Sequence, residues 1–217
     1  MPATSKPATE AAAPQRYHHG DLPAALLQAA ETILQRDGLE GLTLRAAARE
    51  AGVSHAAPKN HFGDIRGLLS ELAAIGFRRL RATMTAELTV PAGGHGNLDK
   101  LGIGYVKFAK ANPALFTLMF RSERLDFDRP ALKEANRGSF SMLSSIAADA
   151  ADTATGAPAL SVAQAAHIAA AWSLVHGFVC LMLDGRLRPL LLQTVGDLDE
   201  IALFQAIMSR PPSAPRA

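Results

Sequence analysis

Cysteine is almost absent from this 217-residue chain, where Cys180 stands alone. A single thiol excludes an internal disulfide and a cysteine-based zinc finger, and it fits a reducing compartment, so a cytoplasmic protein is expected. Aromatic residues make up only 6%, which leaves Ala and Leu to fill the core and leans the chain towards helix. Charge of one sign is lacking too: 22 Lys and Arg against 20 Asp and Glu leave a formal +2. That is too little to argue a nucleic-acid partner from bulk charge. No segment alternates apolar and polar residues as a half-buried strand would. There is no Gly-x-Ser-x-Gly elbow, no phosphate-binding Gly loop and no His-Glu-x-x-His, so an enzyme is not expected. His18, His19 and Asp21 crowd together, but adjacent histidines point in different directions, and neither a metal nor a cofactor is expected. The first sixteen residues hold no continuous apolar run, which argues against a secretory signal.

What is present is apolar material, 48% of residues, spaced for helices. Residues 1–16 and 210–217 are rich in Ala, Pro, Ser and Thr and read as disordered tails. Between them about nine helices are predicted. Asp21 caps the first, which carries Leu22, Leu26, Ala29, Ala30 and Ile33 on one stripe and ends near Gly38. Thr43 caps a short second helix with Leu44, Ala47, Ala48 and Ala51 inward. Gly52 breaks it, and Ser54 is positioned to cap a third, reaching about Asn60. Gly63 and Asp64 start a longer helix towards Leu88. Asn97 opens the next, Asn112-Pro113 caps another, and Asp128 with Pro130 begins a seventh. Ser161 with Gln164, and Asp197 with Glu200, are capping-box spacings for the last two.

The segment from Thr43 to Phe62, TLRAAAREAGVSHAAPKNHF, carries the most information. A helix-turn-helix needs a small residue where its helices cross, a residue tolerant of positive φ in the turn, and an apolar residue just after it. Ala48, Gly52 and Val53 supply these in order. Thr43 and Arg45 then stand where a phosphate is contacted, and Ser54, His55, Ala56 and Ala57 where base edges are met, a short Ala accepting a thymine methyl. Lys59, Asn60 and His61 lie further along, at phosphate distance.

From Tyr17 to about Leu80 the chain resembles the N-terminal DNA-binding domain of the tetracycline-repressor (TetR) family of bacterial regulators. The resemblance rests on Thr-x-Arg, Ala-Gly-Val-Ser, His-Phe, then Asp and a Leu-Leu pair. The remainder resembles the C-terminal domain of a subgroup marked by Trp-x-x-x-His-Gly, here Trp172, His176 and Gly177. This implies an all-α, two-domain homodimer. Residues 17–63 would bind DNA, and residues 64–209 would build a ligand pocket and dimer interface. It implies phosphate contacts at Thr43, Arg45 and His61 and a base-facing turn at Ser54 to Ala57. The chain departs from the family at Lys59, where Tyr is usual, and at Ile65, where Lys is frequent and Arg66 is the nearest cation here.

Between Arg16 and Phe62 five basic residues face five acidic ones (Arg16, Arg36, Arg45, Arg49 and Lys59 against Asp21, Glu31, Asp37, Glu40 and Glu50). Non-specific affinity comes mainly from neutralised phosphates. A monomer so balanced would bind weakly, and a dimer reading half-sites about 34–36 Å apart is required. The stretch from Ser161 to Asp184 is apolar nearly all round, yet Gln164, His167, Ser173 and His176 argue against a membrane span. It is expected to pair with the final helix across a twofold axis, through Phe178, Leu181, Met182, Ile201, Phe204 and Met208. Tyr105, Phe108, Phe116, Met119, Phe120, Phe140, Trp172 and His176 are candidates to line a cavity, with Ser139, Asn136 and Ser173 orienting a largely apolar ligand. The expected partners are therefore duplex DNA, a second copy and a small apolar molecule. A helical carrier that has lost DNA binding is the alternative.

Overall fold

The computed structural model describes residues 21–89, 96–149, 160–194 and 196–209. Both predicted tails and the turn expected at 153–158 lie outside these. Among the described residues the fold is all-α, as expected: α1 (Leu22–Gly41), α2 (Leu44–Glu50), α3 (Ala57–Phe62), α4 (Ile65–Leu88), α5 (Asn97–Ala111), α6 (Pro113–Met119), α7 (Pro130–Asp149), α8 (Val162–Leu183), α9 (Arg188–Leu192) and α10 (Glu200–Met208). A 3-10 turn at Ser122–Arg124 lies between α6 and α7.

Several ends are set by the residues expected to set them. Asp21 accepts from the Ala24 amide, Thr43 from Ala46, Asp64 from Gly67, and Ser161 with Gln164 closes a full capping box. Others differ. Ser54 does not cap α3 with its side chain. Its carbonyl accepts from Ala57, and the helix starts after an uncapped Ala56. Asn112 turns back to donate to the Phe108 carbonyl, closing α5 rather than opening α6. The cap of α10 is Asp199, not Asp197, because its carboxylate reaches the Ala202 amide. Gly38 takes φ 72°, but the chain turns helical again as far as Gly41. The unpredicted helix is α9, five residues with Pro189 in the first turn and too short to show an apolar period.

α4 is the spine. It packs along α5 and α7 most extensively, and also meets α6, α1 and α3. Leu68, Leu69, Ser70, Leu72, Ala73, Ala74, Phe77, Leu80 and Met84 are its buried side chains. The α4–α5 crossing is close: a Cβ on Gly104 would lie 2.6 Å from the Met84 Cα, so only glycine lets the two backbones approach. α1 and α2 with α3 close the lower end over Leu26, Ile33, Leu34 and Phe62. α8 is different. It is the one helix among the described residues long and apolar enough to cross a membrane by length and composition, yet only 22% of its most apolar window is buried. Val162, Trp172, Leu174 and Leu181 are exposed along it.

Candidate nucleic-acid interface and ligand cleft

The helical hairpin is built around Gly52. Its φ of 67° is a left-handed conformation that costs a side-chain-bearing residue free energy. The Gly52 amide bonds Arg49 O at 3.2 Å and the Val53 amide bonds Ala48 O at 3.0 Å, so the orphan carbonyls of α2 are satisfied within the turn. Val53 then packs half-buried on the core. α3 follows, with Pro58 in its first turn where no amide is needed.

Thr43, Arg45, Ser54, His55, Ala56, Lys59, Asn60 and His61 are all exposed on this hairpin. The Thr43 oxygen caps α2 and keeps its hydroxyl hydrogen for another acceptor. Ala57 departs from expectation. It faces inward and is only 7% exposed, because α3 starts there and turns its first apolar side chains onto the core. Arg66 also differs: its Nε and Nη2 both donate to the Leu125 carbonyl, at 3.0 and 2.7 Å. The guanidinium is directed at the α6–α7 connection rather than outward. Ile65 packs on the core, where the family often carries Lys. Arg36 is held by Asp37 and Glu50. Among the described residues Arg45 and Lys59 are in no ion pair, and they are the cations left at this surface beside Arg49.

A second site lies among α4, α5, α6, α7 and α8. Phe77, Leu80, Met84, Tyr105, Phe120, Asn136, Ser139, Phe140 and Trp172 line a cleft of about 430 Å³ that opens to solvent. No charged side chain is among them. Phe140 and Trp172 are 47% and 42% exposed, large rings on facing helices. Behind the cleft the rings interlock: Phe120 lies 4.6 Å from His176 and 4.8 Å from Phe116, and Tyr105 meets Phe116 edge-on at 5.5 Å. The Tyr105 hydroxyl and His176 Nδ1 are 2.9 Å apart. Burial pushes the Tyr105 phenol well above its ordinary range, opposed in part by a hydrogen bond with Trp172. Desolvation holds His176 below the usual imidazole range. The phenol therefore keeps its hydrogen, and the two groups share a hydrogen bond whose donor is set by which ring nitrogen carries hydrogen.

The structure thus brings Tyr105, Phe120, Phe140 and Trp172 to the cleft wall and sets Phe116 and His176 just behind it. Phe108 and Met119 are buried in the core and line neither this cleft nor the next. α4 contributes three wall residues that sequence reasoning missed, Phe77, Leu80 and Met84. Their 77, 80, 84 spacing marks one face of a helix, but nothing local distinguishes a cleft wall from core. A largely apolar groove of about 390 Å³ lies beyond Trp172, between α5, α8 and α10, and includes Leu101, Leu174, Phe204 and Met208.

Of the residues expected at a subunit contact, Leu181 is 44% exposed, while Met182, Ile201 and Met208 are half-buried. Phe178 and Phe204 are buried inside the chain instead. Their rings are 5.1 Å apart, and Phe204 covers Gly102, whose missing Cβ leaves the room. His18 and His19 lie outside the described residues. Among the described residues no cluster of three His, Cys, Asp or Glu could hold a metal.

Comparison with known proteins assigns both halves. Residues 26–72 match the N-terminal domain of bacterial regulatory proteins of the tetR family, and residues 98–210 match the tetracyclin repressor-like C-terminal domain. An HTH-type transcriptional regulator BetI from Vibrio atlanticus (strain LGP32) is 38% identical over 71 residues, 32% of this chain and 36% of that protein. The match thus spans about a third of the curated relative. A solved protein of unknown function from Rhodococcus sp. RHA1 is 33% identical, covering 91% of this chain and 100% of its own, with a TM-score of 0.66. The TetR family transcriptional regulator PfmR from Thermus thermophilus shares the fold at 17% identity and a TM-score of 0.55, over 84% of this chain and 94% of its own.

Proposed function

The chain belongs to the TetR family of bacterial regulatory proteins, a transcriptional regulator rather than an enzyme, and from that premise we propose an operator-binding homodimer whose DNA affinity is set by a small, uncharged, largely apolar ligand. The observation that carries the DNA reading is the unpaired, exposed set Arg45, Lys59, His55 and His61 on a hairpin bent at Gly52. Thr43, Arg45, Lys59, Asn60 and His61 contact phosphates in this reading, and Ser54, His55 and Ala56 meet base edges.

The dimer reading is supported by α8. An apolar helix with Leu174 and Leu181 each 44% exposed needs a cover, and a second copy related by a twofold axis presents the same surface. Leu181, Met182, Ile201 and Met208 belong to that contact, with Phe178 and Phe204 supporting it from inside. The ligand reading is supported by the cleft, whose wall holds the rings of Phe77, Tyr105, Phe120, Phe140 and Trp172 and no ionic partner. Moving a charge into such a wall costs several kcal/mol (about 3 or more), so the ligand is uncharged. In this reading the ligand lies against Phe140 and Trp172, with Asn136 and Ser139 giving it polar contacts. α4 touches both sites and is the connector through which occupancy changes DNA affinity, a coupling on the order of 1–3 kcal/mol.

Duplexes selected by the protein from a randomised pool, titrated across salt concentrations, test the DNA reading. Log affinity should fall linearly with log salt, and the selected sequences should be twofold symmetric. The diversion of Arg66 favours a second reading, a carrier of apolar molecules without an operator. Failure to select any salt-sensitive duplex, together with retained binding of uncharged aromatics, would establish it.

A further inference from the structure

The connection between α6 and α7 runs back from the cleft to the DNA-binding end, and it is bonded at nearly every step. Leu125 is completely buried and its carbonyl takes the forked donation from Arg66. The Asp126 amide donates to Ser70 Oγ at 2.8 Å, and that hydroxyl donates to Arg66 O at 2.7 Å. Arg124 reaches Glu40 of α1 at 3.2 Å. Arg129 closes the run. Its Nε bonds Glu71 Oε1 at 2.6 Å, and its Nη1 lies 3.4 Å from the carbonyl of Phe62.

Phe62 is the last residue of α3, so its carbonyl is one for which the helix supplies no amide. It turns towards α4 at Gly67, where a Cβ would stand 2.0 Å from Phe62 O and 2.9 Å from Arg129 Nη1. Glycine at 67 is what allows carbonyl and guanidinium to meet over α4. Arg129 is also the first residue whose carbonyl accepts within α7, from Lys133 at 2.9 Å. Pro130 follows it and fixes the entry angle. The guanidinium is thus tied to the start of the helix that carries Asn136, Ser139 and Phe140 on the cleft wall, about 10 Å further along.

From this we infer that Arg129 is a positioning residue for the recognition helix: it grips the C-terminal carbonyl of α3 and transmits displacement of α7 at the cleft to α3 directly, in parallel with α4. The transmission rests on the ligand reading above. The grip does not, and the test separates them.

Hydrogen exchange is measured on the full-length protein without DNA, comparing the native chain with Arg129→Gln and Arg129→Lys. Loss of a charge-assisted bond at the end of a six-residue helix should speed exchange in residues 57–64 roughly tenfold for Arg129→Gln and less for Arg129→Lys. Residues 26–34 of α1 and the α8 amides should be unchanged. Should the Gln variant fail to fold, Arg129→Lys carries the same comparison. Asn136→Trp, a ring placed in the cleft by substitution, stands in for the ligand. It should speed exchange in residues 57–64 on the native background and add little on the Arg129→Gln background.

The grip is overturned if residues 57–64 exchange as in the native chain, or if all helices loosen together. The transmission is overturned if Asn136→Trp leaves residues 57–64 unchanged or acts equally on both backgrounds. Because no DNA is present, these outcomes are independent of whether a salt-sensitive operator exists.

Discussion

The Tyr105 hydroxyl of α5 and Nδ1 of His176 on α8 share a hydrogen bond across 2.9 Å. This bond joins the two helices at the back of an aromatic cluster. Desolvation already lowers the His176 pKa below 6.5. The unfolded chain therefore binds the proton more readily than the folded one in the window below that value. Stability is fully present above about pH 6.5 and declines as pH falls through the lowered folded value. Thermal unfolding at pH 7.5 and 5.5 should show a lower Tm at acid pH, and the difference should shrink in His176→Phe. Tyr105→Phe should cost about 1 kcal/mol at pH 7.5.

Lys110 links α5 to the start of α10, with Glu200 at 2.7 Å and Asp199 at 3.5 Å. The Lys110 ammonium lowers the Glu200 pKa, and the Ala202 amide is the first cause of the lowering at Asp199. Depressed carboxylates stabilise the fold above the ordinary carboxylate range and lose that contribution as pH falls through their folded values. Protection of the α10 amides, taken relative to their intrinsic exchange rates at each pH, should fall below about pH 4. Asp199→Ala, which removes a helix cap, should cost about 1 kcal/mol at neutral pH in chemical denaturation.

Gly104 faces the Met84 backbone with no room for a Cβ. Gly104→Ala should force α4 and α5 apart and cost on the order of 1–3 kcal/mol. Gly177, where a Cβ would meet nothing within 4 Å, is the matched control: Gly177→Ala should leave the unfolding midpoint unchanged or raised.

Among the described residues Arg45 and Lys59 are, with Arg49, the exposed cations of the hairpin in no ion pair. Replacing either by Ala should weaken binding to every duplex alike and reduce the salt slope by about one. His55→Ala should instead change which duplexes are selected. Equal behaviour of all three variants would remove the distinction between positioning and base-reading contacts.

Leu181 is exposed on the apolar helix α8. Leu181→Glu should convert a dimer to a monomer in sedimentation while leaving the helical signal intact, since the side chain stands outside the buried core of its own chain. A monomeric native protein would remove the subunit contact proposed here.

Local rules carried much of the fold. The caps at Asp21, Thr43, Asp64 and Ser161 and the turn at Gly52 each depend on atoms within five residues, so their spacing was readable. Ser54 misled because a hydroxyl three residues before a short helix can be bypassed by its own backbone carbonyl. Asp197 misled because Asp199, two residues on, competes for the same amides. The exposed face of α3 was legible except at Ala57, whose burial depends on what lies behind the hairpin.

The cleft and the bonds of the α6–α7 connection were not legible, because their members are far apart along the chain. Tyr105 and His176 are separated by 71 residues, Arg129 and Phe62 by 67, and Arg66 and Leu125 by 59. By itself the amino-acid order determined where α1, α2, α4 and α8 begin and where the hairpin bends, since those choices are settled by hydrogen bonds and side-chain periodicity over a single turn. Only the packing of α4 against α5, α6 and α7 decided which aromatic rings face an opening and which, like Phe108, fill the core. That choice belongs to tertiary structure because burial is a property of all the neighbours at once, and most neighbours come from distant sequence.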